Sequence, residues 1–240
     1  MAQRREEFIV GEIYHITLKG IDGRSILMDD EDYWRFIFSL YEFNNSLRVA
    51  IRKQRETRNN LKIALKLAIG VNREKLEKQL NEDKRDKLVE IMEFILMPNH
   101  VHLGLKEIRM GGISNFMQKI GSGYSHYFNT RYRRTGHLFQ DKFQATRISG
   151  DEYLKTVFVY IHANPISLIE PGWKEKGVRD VEAAIKFLES YRWSSYMDYI
   201  GKKNFPSITD REFMLKAFGG AENAKKFVDT WIRHKHTLAE

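Results

Sequence analysis

Two histidines separated by one residue, His100 and His102, are the first pair in this sequence that could bind a metal ion. The apolar and β-branched residues around them predict a strand, and alternate side chains of a strand point to the same face. Both imidazoles would then be presented together to a divalent cation. The alternative is a pair of ordinary surface histidines, since a His-x-His pattern alone is weak evidence.

A second pair, Tyr160 and Asn164, lies four residues apart in a segment that predicts a helix. This spacing places a phenol and an amide oxygen one turn apart on the same helix face. If that face meets the two histidines, Asn164 could complete a metal site and Tyr160 could attack a phosphate bound there. The alternative is a packing tyrosine, followed by an asparagine that ends the helix before Pro165.

The composition limits the class of protein. The 240 residues, 42% of them hydrophobic, suffice for one main domain. Cysteine is absent, which excludes disulfides and thiolate zinc sites. The formal net charge of +8 favours a polyanionic partner. No stretch approaches the roughly 20 apolar residues of a membrane span, so we expect a soluble, cytoplasmic protein that does not bind membranes.

A segment that mixes cations and aromatic rings strengthens the case for nucleic acid. Single-stranded nucleic acid suits such a surface, because the cations bind phosphates and the rings stack on bases. The alternative is that the charges are ordinary exposed ones. The candidate DNA-binding residues are Arg131, Arg133, Arg134, Phe139, Lys142 and Arg147.

The hydropathy pattern predicts elements in the order strand, helix, strand, strand, helix, strand. This order is typical of an α+β fold with a ferredoxin-like antiparallel sheet and helices packed on it. Capping patterns predict that the helix containing Tyr160 begins at Ser149 to Glu152, and that another helix begins at Thr209 to Glu212. The predicted strands cover 9–19, 88–97, 101–106 and 137–148; one helix follows the acidic residues 29–32 and the next covers 112–131.

A segment from about 48 to 87 interrupts this order with long charged side chains interleaved with Leu, Ile and Ala. It predicts a helical insertion, either a solvated helical pair packed on the domain or a dedicated DNA-binding arm. We expect one domain over residues 1–200 that contains this insertion, and a helical C-terminal extension over residues 201–240.

Four motifs occur in the order and spacing of one family: Met97-Pro-Asn-His-Val-His102, Gly136-His-Leu-Phe-Gln140, Tyr160-Ile-His-Ala-Asn-Pro165 and Trp193-Ser-Ser-Tyr196. The chain resembles the single-tyrosine transposases of the HUH endonuclease superfamily, nearest the REP-associated tyrosine transposases. The resemblance covers residues from roughly 8 to 200 without the charged insertion. Two departures are Phe139, where a tryptophan is common, and His162, where an acidic or polar residue is frequent. We expect His162 to be a helix-surface histidine.

The resemblance implies that His100, His102 and Asn164 hold Mg²⁺ or Mn²⁺ while Tyr160 attacks a phosphate of single-stranded DNA, with or without hairpins. The attack would leave a 5′-phosphotyrosine and a free 3′-hydroxyl, and its reversal would rejoin strands during transposition or REP-element processing. The protein would act as a monomer or homodimer. The alternative function is a non-catalytic DNA-binding protein or repressor derived from a transposase. A histidine-triad hydrolase is disfavoured, because Gly104 replaces the third histidine.

Overall fold

The computed structural model describes residues 7–237, and a four-stranded antiparallel sheet lies at their centre. The strands in chain order are β1 (Ile13–Lys19), β2 (Val89–Met97), β3 (His100–Glu107) and β4 (Gln144–Ile148). Their spatial order is β2-β3-β1-β4, so the two hairpin strands β2 and β3 lie to one side of β1. Helix α1 (Asp30–Glu42) follows β1, and α4 (Gly112–Arg131) connects β3 to β4. This is the predicted ferredoxin-like topology, which is therefore confirmed.

Side-chain alternation gives the sheet two differently covered faces. Tyr14, Ile16 and Leu18 of β1 point to the face covered by α1 and α4, where they form one hydrophobic core with the apolar residues of those helices. The opposite face is covered by α5 (Asp151–Ala163), whose apolar residues form a second core with Met92 and Ile95 of β2. The predicted histidine pair lies on this second face.

The fourth strand is shorter than predicted, because only 144–148 of the range 137–148 pairs along β1. Residues 137–143 form a loop that passes the end of β1. Ile21 N donates to Leu138 O at 3.0 Å and Gln140 N donates to Lys19 O at 3.0 Å. The segment with β-like composition is therefore a loop that is hydrogen-bonded to the last residue of β1 and to the turn that follows it.

Both predicted capping patterns are wrong in detail. Helix α5 begins after Gly150, which has φ 82° and no side-chain cap, so Ser149 does not cap it. The acidic residues Asp151 and Glu152 lie in its first turn, where they interact favourably with the helix dipole. Helix α10 (Glu212–Phe218) begins after Arg211 and also lacks a side-chain cap. Helix α1, in contrast, has Asp29 as its cap, accepting from a first-turn amide.

The insertion and the C-terminal third are helical, as predicted. The insertion contains α2 (Ile51–Leu67) and α3 (Val71–Asn81), which contact each other. Helix α11 (Ala221–Thr237) packs against α5 and α8 (Val181–Ser190), so the C-terminal helices join the second core. Within residues 7–237, no helix is both long and apolar enough to cross a membrane. The remaining helices are α6 (Ile166–Ile169), α7 (Trp173–Lys176) and α9 (Tyr196–Tyr199).

Candidate active site

The histidine pair begins β3 and faces a small cleft between the sheet and α5. His102 pairs with Thr17 and His100 with Lys19 in the antiparallel register. Because alternate residues share a face, both imidazoles point to the side covered by α5, with ring centroids 4.9 Å apart. The cleft has a volume of about 280 Å³ and is also lined by Gln140.

Each histidine uses its Nδ1 atom within the protein. His100 Nδ1 lies 2.7 Å from Asn99 Oδ1, and because an amide oxygen only accepts, the imidazole donates. His102 Nδ1 lies 2.8 Å from His15 Nε2 and 3.1 Å from Thr17 Oγ1. Hydrogen bonds of this kind orient histidine ligands and leave the other ring nitrogen to bind a cation. Both rings are thus arranged to offer Nε2 to the cleft.

Burial keeps these imidazoles neutral at physiological pH. It lowers the pKa of His100 to about 4, with additional repulsion from Lys174 and Lys19. The pKa of His15 is lowered to about 4 by burial alone. For His102, burial lowers the pKa well below its ordinary value, and the charges of the neighbouring histidines and lysines act in the same direction. Neutral imidazole is the form that binds metals.

Tyr160 of α5 reaches the histidines from the opposite wall of the cleft. Its side chain is 39% exposed, and its ring centroid lies 5.6 Å from that of His102 and 5.8 Å from that of His15, edge to face in both cases. Asn164 lies one turn further along, is 2% exposed, and lines the same cleft. The structure therefore brings together all four residues selected as a catalytic and metal site.

Asn164 ends α5, yet both groups of its side chain have partners. Nδ2 donates to the backbone oxygen of Tyr160 at 2.7 Å, so the amide oxygen is turned away from the helix. That oxygen, Oδ1, accepts a hydrogen bond from Lys174 Nζ at 2.9 Å. Lys174 belongs to the short helix α7, and its ammonium lies 4.7 Å from the centre of the Tyr160 ring. The Lys174 ammonium thus lies close to both the amide oxygen and the Tyr160 ring.

The donor set fits a divalent cation held by few protein ligands. Two neutral imidazoles and one amide oxygen border the cleft, and an incomplete set of protein ligands leaves positions for phosphate oxygens or water. Within residues 7–237, no group of three or more His, Cys, Asp or Glu side chains is arranged to hold a metal. His15 does not add a ligand to the pair, because its Nε2 is bound to His102. Asn164 Oδ1 could bind a metal here only after giving up its hydrogen bond from Lys174 Nζ.

Sequence reasoning missed His15, Thr17, Asn99 and Lys174. His15 and Thr17 alternate on β1, a signal as good as that of the predicted pair, but their relevance depends on β1 lying beside β3. Asn99 belongs to the Met97–His102 motif, but only the structure shows that its side chain orients His100. Lys174 lies ten residues after Asn164 and carries no sequence pattern that marks it.

His162 is not the surface histidine that was expected. It is 1% exposed, and Nδ1 donates to Phe158 O at 2.9 Å. A neutral ring then accepts at Nε2, where Ser195 Oγ lies 2.8 Å away. Burial lowers the pKa of His162 to about 3 and raises that of the neighbouring Glu93 carboxyl. His162 thus links α5 to Ser195. Ser195 is itself bonded to β2, because its backbone N donates to Phe94 O.

Among the predicted DNA contacts, Arg131 and Phe139 have partners within the fold. Arg131 forms ion pairs with Asp29 at 2.7 Å and Asp32 at 2.6 Å, so a phosphate would compete with carboxylates for its guanidinium. Phe139 is 9% exposed and packs in the first core beside Tyr124. A base could stack on Phe139 only after the loop moved.

The other four predicted contacts lie nearer the surface. Arg133 is exposed and has φ 50°, and Lys142 is exposed on the loop 137–143. Arg134 donates to Asn129 at 2.9 Å. Arg147 of β4 is exposed but paired with Glu12 at 2.8 Å. The role of all six residues in DNA binding stays a prediction.

Residues 61–164 match the model of a family described as IS200-like transposases. A solved structure described as a REP-associated tyrosine transposase bound to a REP hairpin is similar at 15% identity and a TM-score of 0.48, over 88% of this chain and 96% of that chain. The comparison with curated proteins gave no match. The matched segment includes the histidine pair, the loop, Tyr160 and Asn164, and it confirms the resemblance of this chain to the transposases at the level of the IS200-like family.

Proposed function

We propose that this protein cleaves and rejoins single-stranded DNA, with Tyr160 as the nucleophile and His100, His102 and Asn164 as ligands of Mg²⁺ or Mn²⁺. The tyrosine oxygen attacks a DNA phosphorus, an O–P bond forms to Tyr160, and the bond from that phosphorus to the 3′-oxygen of the preceding nucleotide breaks. The phenolic proton is released and the leaving 3′-oxygen gains a proton. Reversal by a 3′-hydroxyl restores a phosphodiester and frees the tyrosine, so no nucleotide cofactor is consumed.

The observation that carries this proposal is the position of Tyr160. The Tyr160 side chain is 39% exposed, and its ring centroid lies 5.6 Å from that of His102. It is therefore accessible to DNA from the solvent and close to the imidazole pair. A packing tyrosine would instead be covered, as Tyr196 and Tyr199 are at 1% and 0%. The family match over residues 61–164 supports a transposase function in general.

The residues around the cleft have separate roles in this scheme. A bound divalent cation would polarise the phosphate and neutralise charge that develops during attack. Asn99 and His15 keep the two imidazoles oriented through their Nδ1 atoms. Lys174 places a positive charge beside the Tyr160 ring, which attracts a phosphate to the cleft. The net charge of +8 supports a polyanionic substrate.

The test is formation of a covalent adduct between the protein and labelled single-stranded oligonucleotides, some with hairpins, in Mg²⁺ or Mn²⁺. We expect Tyr160→Phe to abolish the adduct, since the attacking oxygen is removed. Tyr153→Phe is the matched control, because Tyr153 lies on the same helix and is 42% exposed but is not part of the cleft. His100→Ala should lower the rate at limiting metal concentration.

Two outcomes would contradict the proposal. An adduct that persists in Tyr160→Phe would assign the nucleophile to another residue. Tight DNA binding without cleavage under any metal condition would favour the alternative function, a non-catalytic DNA-binding protein or repressor. Thermal melting of each variant controls for folding, and wild type treated with EDTA tests the metal requirement.

A further inference from the structure

A second cavity lies on the side of the sheet opposite the histidines. It has a volume of about 590 Å³ and opens between α1, the first half of α2 and the loop 204–208. Its size lies within the range of small-molecule sites, roughly 300–1,000 Å³. Aromatic rings form much of its wall: Trp34, Phe38 and Tyr41 from α1 and Phe205 from the loop.

Trp34 presents an indole to this cavity. It is 45% exposed, unlike Trp193, which is 7% exposed. Trp193 and Phe205 each meet the Trp34 ring edge to face at 5.5 Å, which holds the indole in place. The Arg192 guanidinium lies 4.8 Å from the Trp34 ring centre. Because Arg192 covers one face of the indole, a flat ligand could stack only on the opposite face of this partly exposed ring.

Three arginines line the same cavity: Arg35 from α1, and Arg55 and Arg58 from the insertion helix α2. Arg58 is paired with Glu42, Nε to Oε1, at 3.2 Å. Arg55 is exposed and extends over the Phe38 ring at 6.0 Å. The insertion thus adds positive charge to the aromatic wall supplied by α1.

Arg35 carries an unmet hydrogen-bonding capacity. Its Nη1 is buried and has no hydrogen-bond partner among the residues that the structure describes. The carboxylate that lines the cavity, Glu31, pairs with Arg131 at 3.2 Å. The guanidinium lies over the Tyr127 ring at 5.1 Å, so a phosphate in the cavity would bond to Nη1 only if the Arg35 side chain turned toward the cavity. A buried guanidinium nitrogen without an acceptor is costly, which favours that rotation when an anion is bound.

We propose that this cavity binds one nucleotide, with the base against Trp34 and its neighbouring rings and the phosphate near Arg35 and Arg55. Rings combined with guanidinium groups match a base and its phosphate, since arginine binds phosphate oxygens through paired donors and bases stack on aromatic faces. The same chemistry occurs in a free mononucleotide and in an unpaired nucleotide of DNA. The site is separate from the proposed catalytic cleft, because α1 and α5 cover opposite faces of the sheet.

The experiment uses the full chain carrying Tyr160→Phe, so that no cleavage intervenes. One probe is the 5′-monophosphate of 2-aminopurine deoxyriboside, and the other is a DNA hairpin with a single unpaired 2-aminopurine in its stem. Stacking quenches the fluorescence of 2-aminopurine, so titration reports occupancy. A fully paired hairpin of the same sequence, added as an unlabelled competitor, measures binding that does not need the unpaired base.

Arg55→Ala and Arg52→Ala form the matched pair of variants. Both arginines are exposed on α2, but only Arg55 lines the cavity. We expect Arg55→Ala to weaken binding by about ten-fold, the loss of one charged phosphate contact, and Arg52→Ala to change it by less than about two-fold. Trp34→Ala should remove the quenching, and thermal melting of this variant separates loss of the ring from loss of the fold.

Saturable quenching by the mononucleotide would support the site with a free nucleotide as its ligand. Quenching by the unpaired hairpin alone, with the paired hairpin a poor competitor, would support it with DNA as the source. The proposal is overturned if neither probe gives saturable quenching, or if Arg52→Ala weakens binding as much as Arg55→Ala. Adduct formation by chains with an intact Tyr160 is measured separately, so this failure is distinguishable from failure of the proposed strand transfer.

Discussion

Replacing Lys174 by methionine should strengthen metal binding at the candidate active site. Lys174 Nζ donates to Asn164 Oδ1 at 2.9 Å, and the same oxygen is the proposed third ligand. A cation can be bound by this oxygen only after the hydrogen bond is broken. Methionine keeps a similar unbranched length but has neither the donor nor the charge. The ammonium also repels any cation near the two imidazoles, so both effects have the same sign.

The magnitude follows from the strength of that hydrogen bond. A hydrogen bond with an ionised partner contributes about 1.5–3 kcal/mol. The Lys174 side chain is exposed overall, although partial burial lowers the pKa of its ammonium. Because solvent screens an exposed charge, we expect this hydrogen bond to contribute only about 1 kcal/mol. This energy corresponds to about a five-fold decrease in the dissociation constant.

Calorimetric titration with Mn²⁺ in the absence of DNA would measure this change directly. Lys176→Met is the matched control, because Lys176 lies on the same short helix, is exposed, and does not line the cleft. A double-mutant cycle with Asn164→Ala isolates the pair: without the amide oxygen, most of the gain from Lys174→Met should disappear.

Unchanged or weaker Mn²⁺ binding in Lys174→Met would refute the exchange of Lys174 for a metal at Asn164. A gain that persists in the Asn164→Ala background would also refute it, and would assign the effect to long-range repulsion alone. An equal gain in Lys176→Met would indicate only a general effect of net charge.

Two further predictions concern stability. Burial lowers the pKa of His15 and His100 from 6.5 to about 4, so between these values the unfolded chain binds more protons than the folded chain. The free energy of unfolding should therefore rise by about 1–2 kcal/mol per histidine from pH 5 to pH 7. Urea titrations at the two pH values measure this change, and equal stability at both would contradict it. Gly104→Ala would place a Cβ 2.7 Å from Glu93 Cγ and should destabilise the folded protein by about 1–3 kcal/mol. Gly121→Ala should not, because its Cβ would meet nothing within 4 Å. A lower melting temperature for Gly121→Ala than for Gly104→Ala would disprove the crowding at Gly104.

Local periodicity in the sequence was sufficient to predict how the two residues of each candidate pair are placed relative to each other. Strand alternation determines that His100 and His102 share a face, and the helix repeat places Tyr160 and Asn164 one turn apart. The order of elements also led to the ferredoxin-like sheet, which the strand order confirms. These relations depend on backbone geometry over a few residues, so they do not depend on the rest of the chain.

Boundaries and caps were less predictable, because they depend on what the chain meets. Residues 137–143 have the composition of a strand, yet they form a loop that is hydrogen-bonded to Lys19 at the end of β1 and to Ile21 just beyond it. Ser149 has the side chain of a cap, yet the turn at Gly150 starts the helix without one. Tertiary contacts overrode local preference at both places.

By itself, then, the sequence determined the face shared by the histidines and the helix turn that joins Tyr160 to Asn164. The tertiary structure decided that these two elements meet, that His15 orients His102 from a strand 87 residues away along the chain, and that Lys174 bonds the amide oxygen. It also buried His162, which the pattern had placed at the surface. The physical reason is that pairing of β1 with β3 and packing of α5 on their shared face depend on the summed burial of apolar residues throughout both cores, which no local spacing records.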